Sequence, residues 1–289
     1  MHMECICFVL ECFRNDEINI YLQTRSDKFG WLEYLRQFYS FNTVYNDYSK
    51  ITTENVLVFK LTSNDYSVDH ERVISILHLN AAAQLKCKSL KYLTLTPYIK
   101  RENVNYTFPV FGRQIPLQDG LNSRTITLVG YFIDSHFDKD TISFIDTNKT
   151  YIFNFIIWGS RVYNRLLLPS NVKIYHNVDT KTMVDMLNNS KYVLSKKYIN
   201  YDRFSGQLGL AISLVKPLII DAKTAEAYSL PGVTFIKNYS EIGDIDLIDE
   251  LQYRKLTRET ASFKHTHLEN NDAIFMKFRL DKFLLGALE

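Results

Sequence analysis

Glycine and proline are scarce in this chain, with 10 and 6 copies in 289 residues. Few positions are therefore suited to special turns, and a glycine closing an apolar run is more informative than usual. An excess of one charge is also missing: 34 Lys and Arg stand against 32 Asp and Glu, a net charge of +2. That balance argues against binding along nucleic-acid phosphates, which needs a basic face. No apolar run approaches the roughly 20 residues of a membrane span. The longest candidate, 151–158, contains Asn154. The first apolar stretch lies between Glu4 and Glu11 and falls short of the ~7–15 residues and basic lead of a secretory signal. The expectation is a cytoplasmic protein, in which the N-x-[ST] sequons at Asn105, Asn148, Asn188 and Asn238 are by-products of composition. Cysteine is confined to positions 5, 7, 12 and 87, with no Cys-x-x-Cys, so the thiols read as buried apolar groups. Also absent are a Gly-x-Ser-x-Gly elbow, a Gly-Lys-Ser/Thr phosphate loop and a Gly-x-Gly-x-x-Gly turn. Their absence speaks against hydrolase, NTPase and dinucleotide readings.

What is present suits a large buried core. Hydrophobic residues make up 46% of the chain, including 19 Tyr and 19 Phe, and the length fits two compact domains. Residues 4–10 read as a strand by length and neighbours, as do 18–22, 43–45, 56–59 and 90–95; 72–79 reads as a strand with a helix as the alternative, and 29–41 as a helix. The stretch 101–123 holds Pro109, Gly112, Pro116 and Gly120 and reads as the linker. Beyond it, strands are predicted at 125–130, 151–158, 172–175, 191–194 and 217–220. Helices are predicted at 139–149, 179–189 (capped by Asp179 or Thr180, with a buried stripe of Met183, Met186 and Leu187), 206–214 and 244–256. The strand runs are apolar without alternation, as when helices cover both faces. Such β-α repeats give a doubly wound parallel sheet, whose ligands sit at the C-terminal strand ends. Gly130, Gly159, His176-Asn177 and Ser205-Gly206 then share one rim.

The sharpest segment runs from Asn200 to Ala211 and leads into Lys216-Pro217-Leu218-Ile219-Ile220. A polar loop with Ser205-Gly206 opens a helix, whose first turn offers N–H groups and a positive dipole end to a phosphate. Ser205 is placed to cap that helix. Two other motifs read as ordinary structure. Asp244-Ile245-Asp246 is a helix N-cap with an acidic first turn rather than a metal-binding DxD, and His265-Thr266-His267 lacks a third ligand at a recognisable spacing.

In order and spacing, residues 124–255 resemble the donor-binding domain of GT-B-fold glycosyltransferases of the group 1, family 4-like type. The strand ending at Gly130, the one ending at Gly159-Ser160, the nucleobase segment 175–186, the loop and helix 202–211 and the Lys-Pro-Leu-Ile strand carry the likeness. It implies two Rossmann-like α/β domains facing a cleft: 1–120 on the acceptor side, 121–260 for the nucleotide sugar, and 261–289 as a helix returning to the first. It implies a diphosphate held by Lys139, Ser205, Gly206 and Gln207, with Asp202 and Arg203 in the loop, and a base held near His176, Asn177 and Val178. The activity implied is metal-independent transfer of a sugar from a UDP- or GDP-sugar to a hydroxyl on a glycan, protein or lipid-linked acceptor. No other cofactor, no nucleic acid and no transmembrane segment is implied. General-base candidates at strand ends of the first domain are Asp27, His70, His78 and Asn80, with Asp27 and His78 foremost. Two positions depart from the family pattern: Leu210 stands where a ribose-binding carboxylate is usual, and Tyr131 where an Arg follows the strand glycine. Arg203, Lys196 or Lys197 are the available substitutes for that Arg. The departures leave a second reading open, a non-catalytic binding or scaffold protein on the same fold.

Overall fold

The computed structural model describes residues 3–14, 21–24, 29–45, 58–60, 73–77, 91–98, 104–130, 139–158, 168–195, 204–230, 234–236 and 248–286. Among the described residues the first half holds helix α1 (Met3–Phe13), helix α2 (Trp31–Arg36) and six short strands. Strands β1 (Tyr21–Thr24) and β2 (Asn42–Tyr45) form a parallel pair. Strands β3 (Val58–Lys60), β4 (Val73–Leu77), β5 (Lys91–Thr94) and β6 (Val104–Tyr106) form a four-stranded parallel sheet.

The described residues of the second half form a six-stranded parallel sheet of β7 (Thr125–Gly130), β8 (Ile152–Ile157), β9 (Val172–His176), β10 (Tyr192–Leu194), β11 (Leu218–Asp221) and β12 (Thr234–Ile236). Its spatial order is β12-β11-β10-β7-β8-β9. Numbered from β7, that is the 3-2-1-4-5-6 order of a doubly wound sheet, with the switch point between β7 and β10. Helix α3 (Lys139–Thr147) links β7 to β8, α4 (Thr180–Asn188) links β9 to β10, α5 (Gly206–Ser213) links β10 to β11, and α6 (Ala222–Ala227) links β11 to β12. Both sheet faces are apolar, which explains the continuous hydrophobic runs. Ile126, Leu128, Phe153, Phe155, Tyr192 and Ile219 form one core with Phe144 and Ile145 of α3. Val129, Ile156, Val193, Leu218 and Ile220 belong to the other, with Leu187 of α4 and Leu208 and Ala211 of α5.

Residues 4–10 are helical, not extended. A short apolar run does not distinguish strand from buried helix, and packing decides: α1 lies against α5 and the C-terminal helix α7 (Glu250–Gly286). Cys7, Phe8, Leu10, Cys12 and Phe13 are buried there, with Phe275 of α7 edge-on to Phe8 and Phe13 at 5.7 and 5.4 Å. In a helix, residues two apart do not share a face, so Cys5 and Cys7 are not the same-face pair of a strand.

Helix α7 begins at Glu250 rather than Asp244. Asp249 caps it: its Oδ1 accepts from the Gln252 N–H (2.8 Å), while Gln252 Oε1 accepts from the Asp249 N–H (3.3 Å), a reciprocal capping box. Residues 244–247 lie outside the described residues. Helix α6, which the apolar pattern does not announce, is capped by Asp221 through Thr224 N–H (3.0 Å) and hydroxyl (2.7 Å).

The Pro- and Gly-bearing stretch 107–123 is held along its length. Asn271 of α7 donates to the Phe108 carbonyl (2.9 Å) and accepts from the Thr107 hydroxyl. The Phe111 N–H reaches Ser213 Oγ (3.1 Å). The Gly112 N–H donates to Glu11 (2.7 Å), and its carbonyl accepts from Lys264 (3.1 Å). Asn188 bonds both Pro116 and Gln118, and Lys216 donates to the Gln118 carbonyl (2.7 Å). Gly112 needs its glycine, with φ +80°. So does Gly120, where a Cβ would overlap the Ser190 carbonyl oxygen and stand 2.8 Å from the Tyr253 hydroxyl.

Candidate functional site

The switch point places the C-terminal ends of β7 and β10 side by side, opening the crevice where such sheets bind ligands. Gly130 ends β7 with φ +150°, a backbone that side-chain-bearing residues avoid. In register beside it stand Ile157 of β8 and His176 of β9. Across the crevice, Leu194 ends β10, and Ser205 leads into α5.

The neck of the loop between β10 and α5 is closed by Gln207. Its side chain is 4% exposed, its Nε2 donates to the Leu194 carbonyl, and its buried Oε1 has no hydrogen-bond partner among the described residues. Ser205 departs from expectation: it occupies the N-cap position, but its side chain makes no cap bond. The helix instead starts with the Leu208 N–H donating to the Ser205 carbonyl (3.0 Å). The N–H groups of Gly206 and Gln207 precede the first intrahelical bond and point out of the helix end.

On the far side of β7, Asn177 follows β9 with φ +52°, and its N–H donates to Ile157 (3.0 Å). Asp179 caps α4, accepting from the Thr182 N–H and hydroxyl, each at 2.8 Å. Those bonds lower the pKa of Asp179 below the ordinary carboxylate range. Its buried side chains include Met183 and Leu187, while Met186 is only partly covered. A contact from the first half meets this rim. The Phe29 carbonyl accepts from both the N–H (2.8 Å) and the hydroxyl (3.0 Å) of Thr180, and the Phe29 ring lies 6.3 Å from that of Trp158. Phe29 takes φ +85° and Gly30 +64°. Positive φ at a non-glycine residue is a stored strain that recurs at ligand clamps.

Gly130, Asn177, Val178, Ser205, Gly206 and Gln207 thus lie at one end of the sheet. Lys139 opens α3 on the same connection from Gly130, its side chain outside the description. Asp27, His70, His78, Asn80, Gly159, Ser160, Asp202 and Arg203 lie outside the described residues. Lys216 stands at the opposite, N-terminal end of β11, 1% exposed, where burial lowers its ammonium pKa to about 8. His267 is half-buried: it packs 4.3 Å from the Phe263 ring and 5.3 Å from that of Phe108, and burial lowers its pKa to about 4. Sequence reasoning missed Phe29, Trp158 and Thr180, whose only signal was a glycine before a helix and a threonine in a capped first turn. Among the described residues no three His, Cys, Asp or Glu side chains form a metal-holding group, and no helix is long and apolar enough to cross a membrane.

No protein-family model matches the chain, and no curated protein matches it in sequence. Solved structures do match in shape. HepE of Anabaena, solved with UDP-glucose, superposes at a TM-score of 0.66 and 10% identity, over 97% of this chain and 96% of that one. An α-glucosyltransferase solved with UDP and a 13-mer DNA containing a HMU base superposes at 0.63 and 11%, over 95% and 94%. TarM matches at 0.50 and 14%, over 73% of this chain and 51% of its own. The near-complete coverage of the first two, together with the 3-2-1-4-5-6 sheet and its rim, shows that this chain has the α/β GT-B fold.

Proposed function

We propose that the chain transfers a sugar from a nucleoside diphosphate sugar to an acceptor hydroxyl, without a metal. One observation carries this reading: the switch-point crevice is flanked by Gly130 on one side and by the uncapped start of α5, Ser205-Gly206-Gln207, on the other. UDP or UDP-glucose in the structures of similar shape supports it.

In this reading the bond from the sugar's anomeric carbon to the diphosphate breaks as the bond to the acceptor oxygen forms. The acceptor hydroxyl gives up a proton, and the diphosphate leaves with added negative charge. The dipole and N–H groups at the start of α5 stabilise that charge, with the Ser205 hydroxyl and Lys139 assisting. The nucleobase sits against the backbone near Asn177 and Val178. Asp27 or His78 serves as base if the reaction inverts the sugar. Residues 1–120 form the acceptor side, 121–260 the donor side, and 261–289 the returning helix. The acceptor is a glycan, protein or lipid-linked hydroxyl, and the compartment is the cytoplasm.

Thermal-shift and calorimetric titration with UDP, GDP and other nucleoside diphosphates test the reading. A hundredfold excess over Kd should stabilise the fold by ~2.7 kcal/mol. Ser205→Pro or Gly206→Val should abolish binding in a protein that still folds; unchanged affinity sinks the site. A second reading, a binding or scaffold protein without catalysis, is favoured by Leu210. That side chain is 5% exposed within the core, so the position offers no carboxylate to a ribose. Absence of a shift with every nucleotide supports it.

A further inference from the structure

The residue just before Ser205 is Phe204, 3% exposed, and it packs against rings from two other parts of the chain. Its ring lies edge-on to Phe108 of the stretch between the halves (5.6 Å, 89°) and 5.8 Å from Tyr228 at the end of α6. Phe108, with no exposed surface, is the hub. It also packs edge-on to Tyr228 (6.1 Å) and to Phe263 of α7 (5.2 Å), and lies 5.3 Å from the His267 ring. Its carbonyl is fixed by Asn271 (2.9 Å). Edge-to-face pairs at these separations each contribute roughly 0.5–1.5 kcal/mol beyond area burial, and close packing leaves little room for one ring to move alone.

We propose that Phe108 is a positioning residue for the Ser205-Gly206 end of α5. Through Phe204 it fixes the direction in which the Gly206 and Gln207 N–H groups point, coupling the connection between the halves to the phosphate-facing helix end. The ligand side of this inference rests on the nucleotide-sugar reading; the mechanical side does not. Gln207 holds the loop's neck from the sheet side, and Phe108 holds it from the side of α7. Any shift of 106–111 therefore reaches the helix start without passing through the sheet.

The test compares Phe108→Ala with Phe144→Ala, a fully buried ring in the other core. Two readouts are taken: hydrogen exchange of backbone amides 204–208 without ligand, and UDP affinity by calorimetry. In Phe108→Ala exchange at 204–208 should accelerate and UDP affinity fall, each by about 10-fold, the usual scale for coupling through a packed chain of residues. Phe144→Ala should leave both unchanged. Phe108→Leu, which keeps most of the volume and loses the ring edges, should fall between and serves if the alanine variant does not fold. Unaltered exchange at 204–208 in both Phe108 variants, or equal acceleration in Phe144→Ala, overturns the proposal. If the exchange contrast appears but the unaltered protein binds no UDP, the coupling stands and the donor reading fails.

Discussion

The Tyr39 hydroxyl donates to Glu11 Oε2 at 2.6 Å, across 28 positions of sequence and inside the core. The same oxygen accepts from the Gly112 N–H at 2.7 Å, and the carboxylate is approached by Arg113 at 3.5 Å and Arg14 at 3.4 Å. Glu11 is 1% exposed, so it is tolerated only because its oxygens are bonded. Burial and the adjacent carboxylate push the Tyr39 phenol pKa upward, keeping it a donor. Tyr39→Phe should lower stability by about 1.5–3 kcal/mol, the range for a bond to a charged group. Glu11→Leu should cost more, about 3–5 kcal/mol, because it leaves buried donors unpaired. Urea unfolding of the two variants checks the order; a milder effect for Glu11→Leu would show that the donors around Glu11 do not depend on its carboxylate.

Gly120→Ala should destabilise by about 1–3 kcal/mol, as overpacking does. The added methyl meets backbone at Ser190, which moves only with β10, besides the Tyr253 hydroxyl. Adding Tyr253→Phe should recover only part of the loss, and complete recovery would show that the backbone contact yields. Paired denaturation curves decide it.

Acid should weaken the aromatic cluster through His267. Folded, its imidazole stays neutral down to about pH 4 against an ordinary value of 6.5. The unfolded chain therefore binds the proton first as pH falls. Stability from this group is complete above pH 6.5, declines between 6.5 and about 4, and is flat below. His267→Phe should remove that slope. A denaturation midpoint measured from pH 7 to 4 that declines equally in both proteins would place the acid response elsewhere.

Gln207→Leu separates folding from binding. It removes the bond to the Leu194 carbonyl, but also the buried oxygen that lacks a partner among the described residues. The net change in stability should stay within about 1 kcal/mol, while UDP affinity falls because the loop's neck is released. Loss of stability without loss of affinity would assign Gln207 to the scaffold alone.

Much of the second half was legible because its strands are buried on both faces: the runs at 125–130, 151–158 and 217–220 match β7, β8 and β11 within a residue or two. Asp179 was legible as one of two candidate caps, with Thr180, because its partner, Thr182, is three residues away. Helix α1 was not legible, since the ring that fixes it, Phe275, lies more than 250 residues away in sequence. Ser205 has the right side chain for a cap, yet backbone geometry starts the helix without it. The rim at Gly130 could be anticipated from a strand-end glycine in a glycine-poor chain. Phe29 over Thr180 could not, because nothing local marks a carbonyl aimed at a distant helix.

Helix α7, 37 residues and so about 55 Å long, also orders events during synthesis. Phe8 and Phe13 are finished against Phe275, which leaves the ribosome roughly 13–50 s later at 5–20 residues per second. Over that interval the six-stranded sheet can assemble from contiguous β-α units, while α1 still exposes an apolar surface. A chaperone acting on the nascent chain would therefore find an apolar face on α1 until Phe275 arrives to cover Phe8 and Phe13.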